Sequence, residues 1–381
     1  MKMHYDAIVI GAGSMGMSAG YYLSKNGQKV LILDSFAPPH NKGSHHGETR
    51  IIRHAYGEGK EYISLALKSQ ELWGELERNS GKQLFLPTGV LNAGSENSSF
   101  IKQVIAGSNE YGLPMKILDS GEIHDRWPGI TLPEDYIGCY ESTSGVLKSE
   151  ECLRAYQQLA ISHGADVRVN SEVKKIVVHG NGVTINTDEQ TFHSDSLVVA
   201  VGAWAPKILA MLNLNLPLQP IRKTFAWFHA NERLYNHNDF PAFSFDTSVG
   251  TYYGFPSING SGMKVGRHDG GTHINPDGCM EGFGELDEDE GDLVKFLGKY
   301  MPADQKLNYG KTCIYTMTPD EHFIVDKHPY YPHIAIAAGF SGHGFKFSSV
   351  MGEILSDLII SGTCKEDISL FSINRFKNSL S

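Results

Sequence analysis

The chain's 381 residues are too many for one small module and suit about two domains of roughly 100–200 residues each. Apolar residues make up 41% and charged residues 20%, enough for a sizeable core, while 41 glycines beside 16 prolines, with no repeat, point to tight turns rather than a linker or fibre. Lys and Arg total 33 against 43 Asp and Glu, and the net charge of −10 argues against a general nucleic-acid binder, which needs a basic face.

In chain order, Ala7-Ile8-Val9-Ile10 reads as a short buried strand running into Gly11-Ala12-Gly13-Ser14-Met15-Gly16. A helix is expected over 14–26, with Gly27 placed to stop it, and a second buried strand over 29–33 ends at Asp34. Together they compose a βαβ opening. Residues 35–57 form a long irregular stretch, of the kind that is functional or disordered. An amphipathic helix is expected over 60–78, with Leu65, Leu67, Leu72 and Trp73 as its apolar members. Residues 85–93 read as one strand, and the region up to Tyr140 mixes short elements. A helix near 149–163 leads to a strand at 167–169, and the turn Gly180-Asn181-Gly182 joins two strands of a hairpin. Residues 196–201 form another buried strand, ending at Gly202-Ala203-Trp204. Residues 218–285 alternate aromatic and polar side chains between turn glycines, the pattern of an antiparallel sheet. The acidic run 285–292 is a solvated helix start whose carboxylates suit the helix dipole. A buried strand over 334–338 precedes Gly339-Phe340-Ser341-Gly342-His343-Gly344 and a helix near 347–361.

Parallel-type strands therefore occupy the start, middle and end of the chain, and antiparallel patterns fill the gaps. The economical division is a dinucleotide-binding unit built from 1–84, 146–217 and 323–381, with a substrate unit in 85–145 and 218–322. The five cysteines, Cys139, Cys152, Cys279, Cys313 and Cys364, contain no C-x-x-C pair. A disulfide scaffold and a zinc ribbon are thus not expected, and a reducing compartment is. No apolar run approaches the roughly 18 residues of a membrane span. Asp6 interrupts the apolar N-terminus and no small-residue cleavage site follows. The expectation is a cytoplasmic protein with neither membrane nor nucleic acid as a partner.

The fingerprint G-x-G-x-x-G carries weight here because it sits between a strand and a helix, with Asp34 placed 18 residues after Gly16. Gly11 makes the tight turn, Gly13 lets a pyrophosphate approach the backbone, and Gly16 permits close helix–strand packing. The amides of Ser14 and Met15 open the helix, where its dipole favours phosphate. Asp34 can accept from a ribose hydroxyl and would repel a 2′-phosphate, which disfavours NADP. The glycines leave FAD and NAD both open. The loop 339–344 also opens a helix, whose dipole can serve the flavin edge that becomes negative on reduction; its plainer reading is a strand-to-helix turn. The segment 43–54 gathers His45, His46, Thr49, Arg50, Arg53 and His54 in an acidic protein. No Cys or carboxylate spacing completes a metal site there, whereas Arg suits bidentate recognition of a carboxylate.

Three sets of residues then resemble the monomeric sarcosine oxidase and N-methyltryptophan oxidase family of amine-oxidising flavoenzymes. They are Gly11 to Gly16, then Pro38-Pro39-His40 with Gly43-Ser44-His45-His46-Gly47, Thr49-Arg50 and Ile52 to Gly57; Tyr252-Tyr253-Gly254-Phe255-Pro256; and Cys313-Ile314-Tyr315 with the run Gly339 to Phe347. The likeness runs essentially end to end. It implies an α/β two-domain protein of the α+β kind, with a Rossmann-like FAD-binding domain and an inserted, mostly antiparallel-sheet substrate domain. The resemblance further implies FAD held covalently through Cys313, which on local chemistry alone is a buried small hydrophobe. It assigns Arg53 and Lys346 to the substrate carboxylate. Lys264 becomes the lysine that steadies negative charge when oxygen meets reduced flavin; without the family it reads as a solvated strand lysine. Arg50 falls beside the flavin ring, with His46, Thr49, Gly342, Gly344 and Lys346 also near the cofactor. Tyr253, His268 and Tyr315 line the substrate pocket, though each is equally compatible with a core role.

One position departs from the pattern. The sarcosine oxidase motif has methionine where Ser244 stands, and 223–227 leans toward the N-methyltryptophan oxidase version. The implied reaction is oxidative demethylation of an N-methyl amino acid with O2 by a monomer, giving the primary amino acid, formaldehyde and H2O2. The alternatives are an oxidase of larger or cyclic secondary amino acids such as N-methyl-L-tryptophan or pipecolate, a nicotinamide-dependent dehydrogenase, and a non-catalytic flavin-binding protein. Arg50, Arg53, Lys264 and Lys346 are all expected to converge on one flavin face, a basic pocket inside an acidic shell.

Overall fold

Apolar runs with period two and Gly-marked turns build three sheets. The computed structural model describes residues 4–302 and 306–379. In the first sheet His4–Ile10 lies centrally, parallel to Val30–Leu33 on one side and to Thr191–Val199 on the other. Asp166–Arg168 extends the Val30–Leu33 edge in parallel. Thr191–Val199 forks: its first half closes the hairpin Lys175–His179 and Gly182–Asn186, and its second half runs parallel to Ile334–Ala338. A long parallel core strand fed from the chain's start, middle and end places their loops at one edge, where ligands of such sheets bind.

Against this sheet packs the helix Ser14–Lys25, whose residues Met15 to Ser24 are all buried. Such complete burial needs small residues where neighbours come closest. A Cβ on Gly20 would lie 2.3 Å from Ile32 Cδ1, and one on Gly352 of the helix Ser348–Ile360 would lie 2.0 Å from Ser18 Oγ. Gly16 is tighter still, since its Cβ would fall 1.8 Å from the backbone oxygen of Gly11. Gly16→Ala is expected to cost about 3 kcal/mol or more, the scale of an overpacked core. A melting curve of the purified variant checks this; an unchanged melting temperature would contradict it.

The second sheet has nine strands and is antiparallel apart from the pairing of Ala242–Thr247 with Val90–Ser95. Its long members are Gln219–Phe228 and Leu307–Met317, paired from Gln219–Met317 to Phe228–Leu307. Helix Glu288–Tyr300 covers one face, burying Leu293, Phe296, Leu297 and Tyr300 against Phe243, Phe245 and Tyr252. Arg222 ties down the approach to this helix: its guanidinium grips Asp289 with two 2.7 Å bonds and also donates to the carbonyls of Glu281 and Gly282.

Several expectations need correction. The stretch 35–57 is not wholly irregular, because Thr49–Ile52 is a strand that pairs with Gly145–Lys148 in a small third sheet. Residues 85–93 do not form one strand: Phe85–Leu86 joins that third sheet, and Val90–Ser95 joins the second. Gly89, at φ 71, turns the chain between them. Leu67 is 39% exposed and lies off the buried face of the helix Ile63–Ser80. Two helices within the mixed region, Ser99–Tyr111 and Ser120–Arg126, follow strong caps at Ser98 and Asp119. No helix among the described residues is long and apolar enough to cross a membrane.

Candidate functional site

A cavity of about 640 Å³ opens along the loop edge of the first sheet. Its floor is the first turn of Ser14–Lys25, contributing Gly13, Ser14 and Met15. That helix start has Gly13 as N-cap and no side-chain cap, so its leading amides face the cavity with their partial positive charge. Gly11 also lines the cavity, at φ 95, and any side chain there would strike the carbonyl of Ala200 at 2.3 Å. Gly16 sits behind, in the helix–strand contact. Asp34 reaches the lining from the end of its strand; Oδ2 accepts from Ala12 N at 2.6 Å and Oδ1 from Phe36 N at 2.8 Å. A carboxylate oxygen has two lone pairs, so both oxygens keep capacity for hydroxyl donors.

At the other end Gly342 and Gly344 line the cavity with Arg50 and Tyr315. Gly342, at φ 81, is pressed against the Tyr315 ring, which lies 2.2 Å from where its Cβ would be. Cys313 is two residues from Tyr315 on the same strand and thus on the same sheet face. Only 2% of it is exposed, among Phe225, Trp227 and Tyr315. Burial raises the thiol's pKa, and Arg50, Lys264, Lys223 and Arg222 pull it the other way. Arg50 is fixed by donating to the carbonyls of Ser44, Thr49 and His46, each at 2.7 Å. His46 is buried with both ring nitrogens unpartnered, and burial, then Arg50, lowers its pKa to about 3. Uncapped amides, a carboxylate with acceptor capacity to spare and glycine-thinned walls fit a dinucleotide that carries phosphates, ribose and a flat ring.

Lys264 is not a solvated strand lysine. It is 2% exposed, and its ammonium donates to Gly47 O, Thr49 O and Thr49 Oγ1 at 2.6, 3.1 and 3.2 Å. Phe225 and Phe255 present ring faces at 4.5 and 4.6 Å. Burial, and next Arg50, push its pKa well below the usual lysine range.

The remaining residues named from the sequence gather on a second centre. Arg53 donates to Asn92 Oδ1 at 2.8 Å and to Glu58 Oε1 at 2.5 Å. Its guanidinium lies 5.2 Å from the Tyr56 ring, and the Tyr56 hydroxyl accepts from Lys346 Nζ at 3.0 Å. Burial, and then Arg53, lower the Lys346 pKa to about 7. His268 belongs to the same field. Burial lowers its pKa to about 4, with Glu58 opposing and Lys223, Arg53 and Lys346 reinforcing, and its ring lies 5.7 Å from Tyr315. Tyr253 faces Ser244 in register across the neighbouring strand, and Ser244 is buried. Burial raises the pKa of Tyr253 to about 12 and that of Tyr315 well above the tyrosine range.

The four cations therefore stand as two pairs. Arg50 and Lys264 share the Thr49 carbonyl, Arg53 and Lys346 share Tyr56, and Arg50 lies 6.0 Å from the ring of Phe345, next to Lys346 in the chain. Glu58 was not foreseen. Burial would raise its pKa, but Arg53, His343 and Lys346 hold it down at about 2. Lys223 was likewise missed as a site residue. Its ammonium donates to the carbonyls of His268, Asp269 and Gly270 at 2.8, 2.6 and 2.9 Å, which fixes the turn that carries His268. Both depend on partners that the fold supplies: Glu58 on the Arg53 guanidinium, and Lys223 on a strand position opposite Cys313.

Residues 6–358 match the FAD dependent oxidoreductase family, and the chain belongs to that family. Among its relatives, it is 50% identical over 378 residues to a monomeric sarcosine oxidase of Arthrobacter sp. (strain TE1826), covering 98% of this chain and 97% of that protein. It is 40% identical over 375 residues to an N-methyl-L-tryptophan oxidase of Salmonella dublin, covering 98% and 100%. The fold is also that of an L-proline dehydrogenase from P. horikoshii, with a TM-score of 0.88 at 22% identity over 100% of this chain and 99% of that one.

Proposed function

We propose that this chain oxidises N-methyl amino acids of the sarcosine kind, using FAD and O2. The observation that carries the reading is the pair of buried cations, Arg53 and Lys346, sharing one tyrosine beside the cavity. Arg53 is paired with Glu58 on one side, and two buried cations together suit a further small carboxylate between them. Bound FAD would accept the electron pair of the broken N-methyl C–H bond and deliver it to O2 as H2O2. The chain's own residues prepare that event. Arg53 and Lys346 hold the carboxylate, the surrounding cations favour the neutral amine, and Tyr253, Tyr315 and His268 wall the pocket. Water then splits the imine into formaldehyde and the primary amino acid. Lys264 would meet the charge that develops on oxygen. We further propose a monomer acting in the cytoplasm, in keeping with the monomeric sarcosine oxidases it resembles, with the two-unit division given above.

A second reading, an oxidase of larger substrates such as N-methyl-L-tryptophan, draws on Ser244. A small side chain facing Tyr253 leaves room that methionine would fill. Steady-state kinetics with sarcosine and N-methyl-L-tryptophan separates the two, because the preferred substrate has the higher kcat/KM. For the cofactor link, acid precipitation is expected to leave flavin in the pellet of the natural protein and release it from Cys313→Ser. Complete release from the natural protein would overturn the thioether at Cys313.

A further inference from the structure

Two buried cations around one tyrosine raise the question of what keeps Lys346 charged where burial opposes it. Tyr56 is fully buried, with its hydroxyl 2.8 Å from His343 Nδ1 and 3.0 Å from Lys346 Nζ. His343 Nε2 lies 3.1 Å from the backbone carbonyl of Glu321. A carbonyl only accepts, so Nε2 carries the proton. Burial, which Glu58 opposes and Lys346 reinforces, lowers the His343 pKa to about 3, so the imidazole is neutral and Nδ1 is bare. Nδ1 must then accept from the Tyr56 O–H, and the tyrosine oxygen turns its lone pairs to the ammonium of Lys346. The carbonyl that starts this sequence is set by unusual backbone. Glu321 holds φ 61, a left-handed conformation that non-glycine residues adopt infrequently. Lys346 has a second acceptor in the carbonyl of His343, at 2.8 Å, so the same residue supports it from two directions.

We propose that the Glu321 carbonyl, His343 and Tyr56 form a one-directional hydrogen-bond relay that holds Lys346 as a cation facing the substrate carboxylate. Tyr56 and His343 are positioning residues in this arrangement, acting through Lys346. The inference rests on the reading of Arg53 and Lys346 as the carboxylate site. It deepens that reading by naming what sets the charge and direction of one of the two cations. Packing alone would not need the hydroxyl: the Tyr56 ring already contacts Tyr62 and Phe347 at 5.2 and 5.6 Å, and phenylalanine would preserve both contacts.

The test uses the holoenzyme and propionate, a carboxylate with no amine to oxidise, titrated by calorimetry, with sarcosine kinetics alongside. Tyr56→Phe is expected to weaken propionate binding and raise KM by about 10-fold or more, the scale of a hydrogen bond to a charged group, with kcat much less changed. His343→Leu should behave the same way. His343→Gln, which can offer one acceptor and one donor along the same line, should stay close to the natural enzyme. The double variant Tyr56→Phe/His343→Leu should lose no more than either single one, because the groups act as a unit. Unchanged propionate affinity in Tyr56→Phe, or additive losses in the double variant, would overturn the relay. If Tyr56→Phe fails to hold FAD, the contrast of His343→Gln with His343→Leu decides it, and equal losses in both overturn it. A natural enzyme that bound no propionate would overturn the carboxylate site itself, a result distinct from a failed relay.

Discussion

Lys264→Met is expected to slow the reaction of the pre-reduced enzyme with O2 by about 10²–10³-fold, the scale of removing one well-aimed electrostatic group from a dry site. Its ammonium is buried among aromatic faces and spends its three N–H groups on three oxygens. A neutral amine has only two N–H donors, so this acceptor set favours the charged form even though burial lowers the pKa. Met matches the length of Lys and removes the charge. Flavin reduction by substrate should be nearly unaffected, since Arg53 and Lys346 are left in place. The pH dependence has a definite sign. The cation is present below the lowered Lys264 pKa and lost above it, so reoxidation should slow as pH rises through that value, and Lys264→Met should lack that step. Rapid mixing of the reduced enzyme with oxygenated buffer reads both effects. A variant that reoxidises at the natural rate would remove Lys264 from the oxygen step.

Arg53→Met is expected to raise KM for an N-methyl amino acid by about 100-fold or more, with a smaller change in kcat. Truncating one partner of a buried charged contact costs about 2–5 kcal/mol, and here the deletion also strands Asn92 and the carboxylate of Glu58. Arg53→Lys keeps the charge but loses the fork, so its KM should fall between the two. The effect belongs to the carboxylate. The preference of the enzyme for an N-methyl amino acid over the corresponding amide should therefore shrink in Arg53→Met, while the amide itself is processed about as before. Steady-state kinetics on that substrate pair gives the answer. An unchanged KM, or equal losses for acid and amide, would contradict the assignment of Arg53 to the carboxylate.

Much of the first sheet was readable because its signals are local. The run of four apolar residues, the glycine turn and the acidic end of Val30–Leu33 lie within one short segment, and two of its glycines, Gly11 and Gly16, are required by close backbone contacts. The motif residues of the site were also readable, through resemblance. What local pattern misjudged was Lys264, because its burial depends on Gly47 and Thr49, more than 200 positions earlier in the chain. Strand Thr49–Ile52 was lost for a related reason: four residues among glycines and histidines form a strand only because Gly145–Lys148 pairs with them. Glu58 and His343 were likewise opaque. Their importance lies in the charge and tautomer of neighbours that the fold brings together, and no spacing along the sequence records that. The helix Ser99–Tyr111, by contrast, was legible and overlooked, since Ser98 caps it in the usual way.

The reading of this protein stands most directly on anaerobic mixing of the FAD-loaded chain with a panel of N-methyl amino acids, including sarcosine and N-methyl-L-tryptophan, while the long-wavelength flavin band is followed. The expected result is rapid bleaching by at least one of them, restoration of the band when O2 is admitted, and one equivalent each of formaldehyde and H2O2. A flavin that stays oxidised with every member of the panel would contradict the proposed activity, and would favour a protein that binds flavin without turning over these amines.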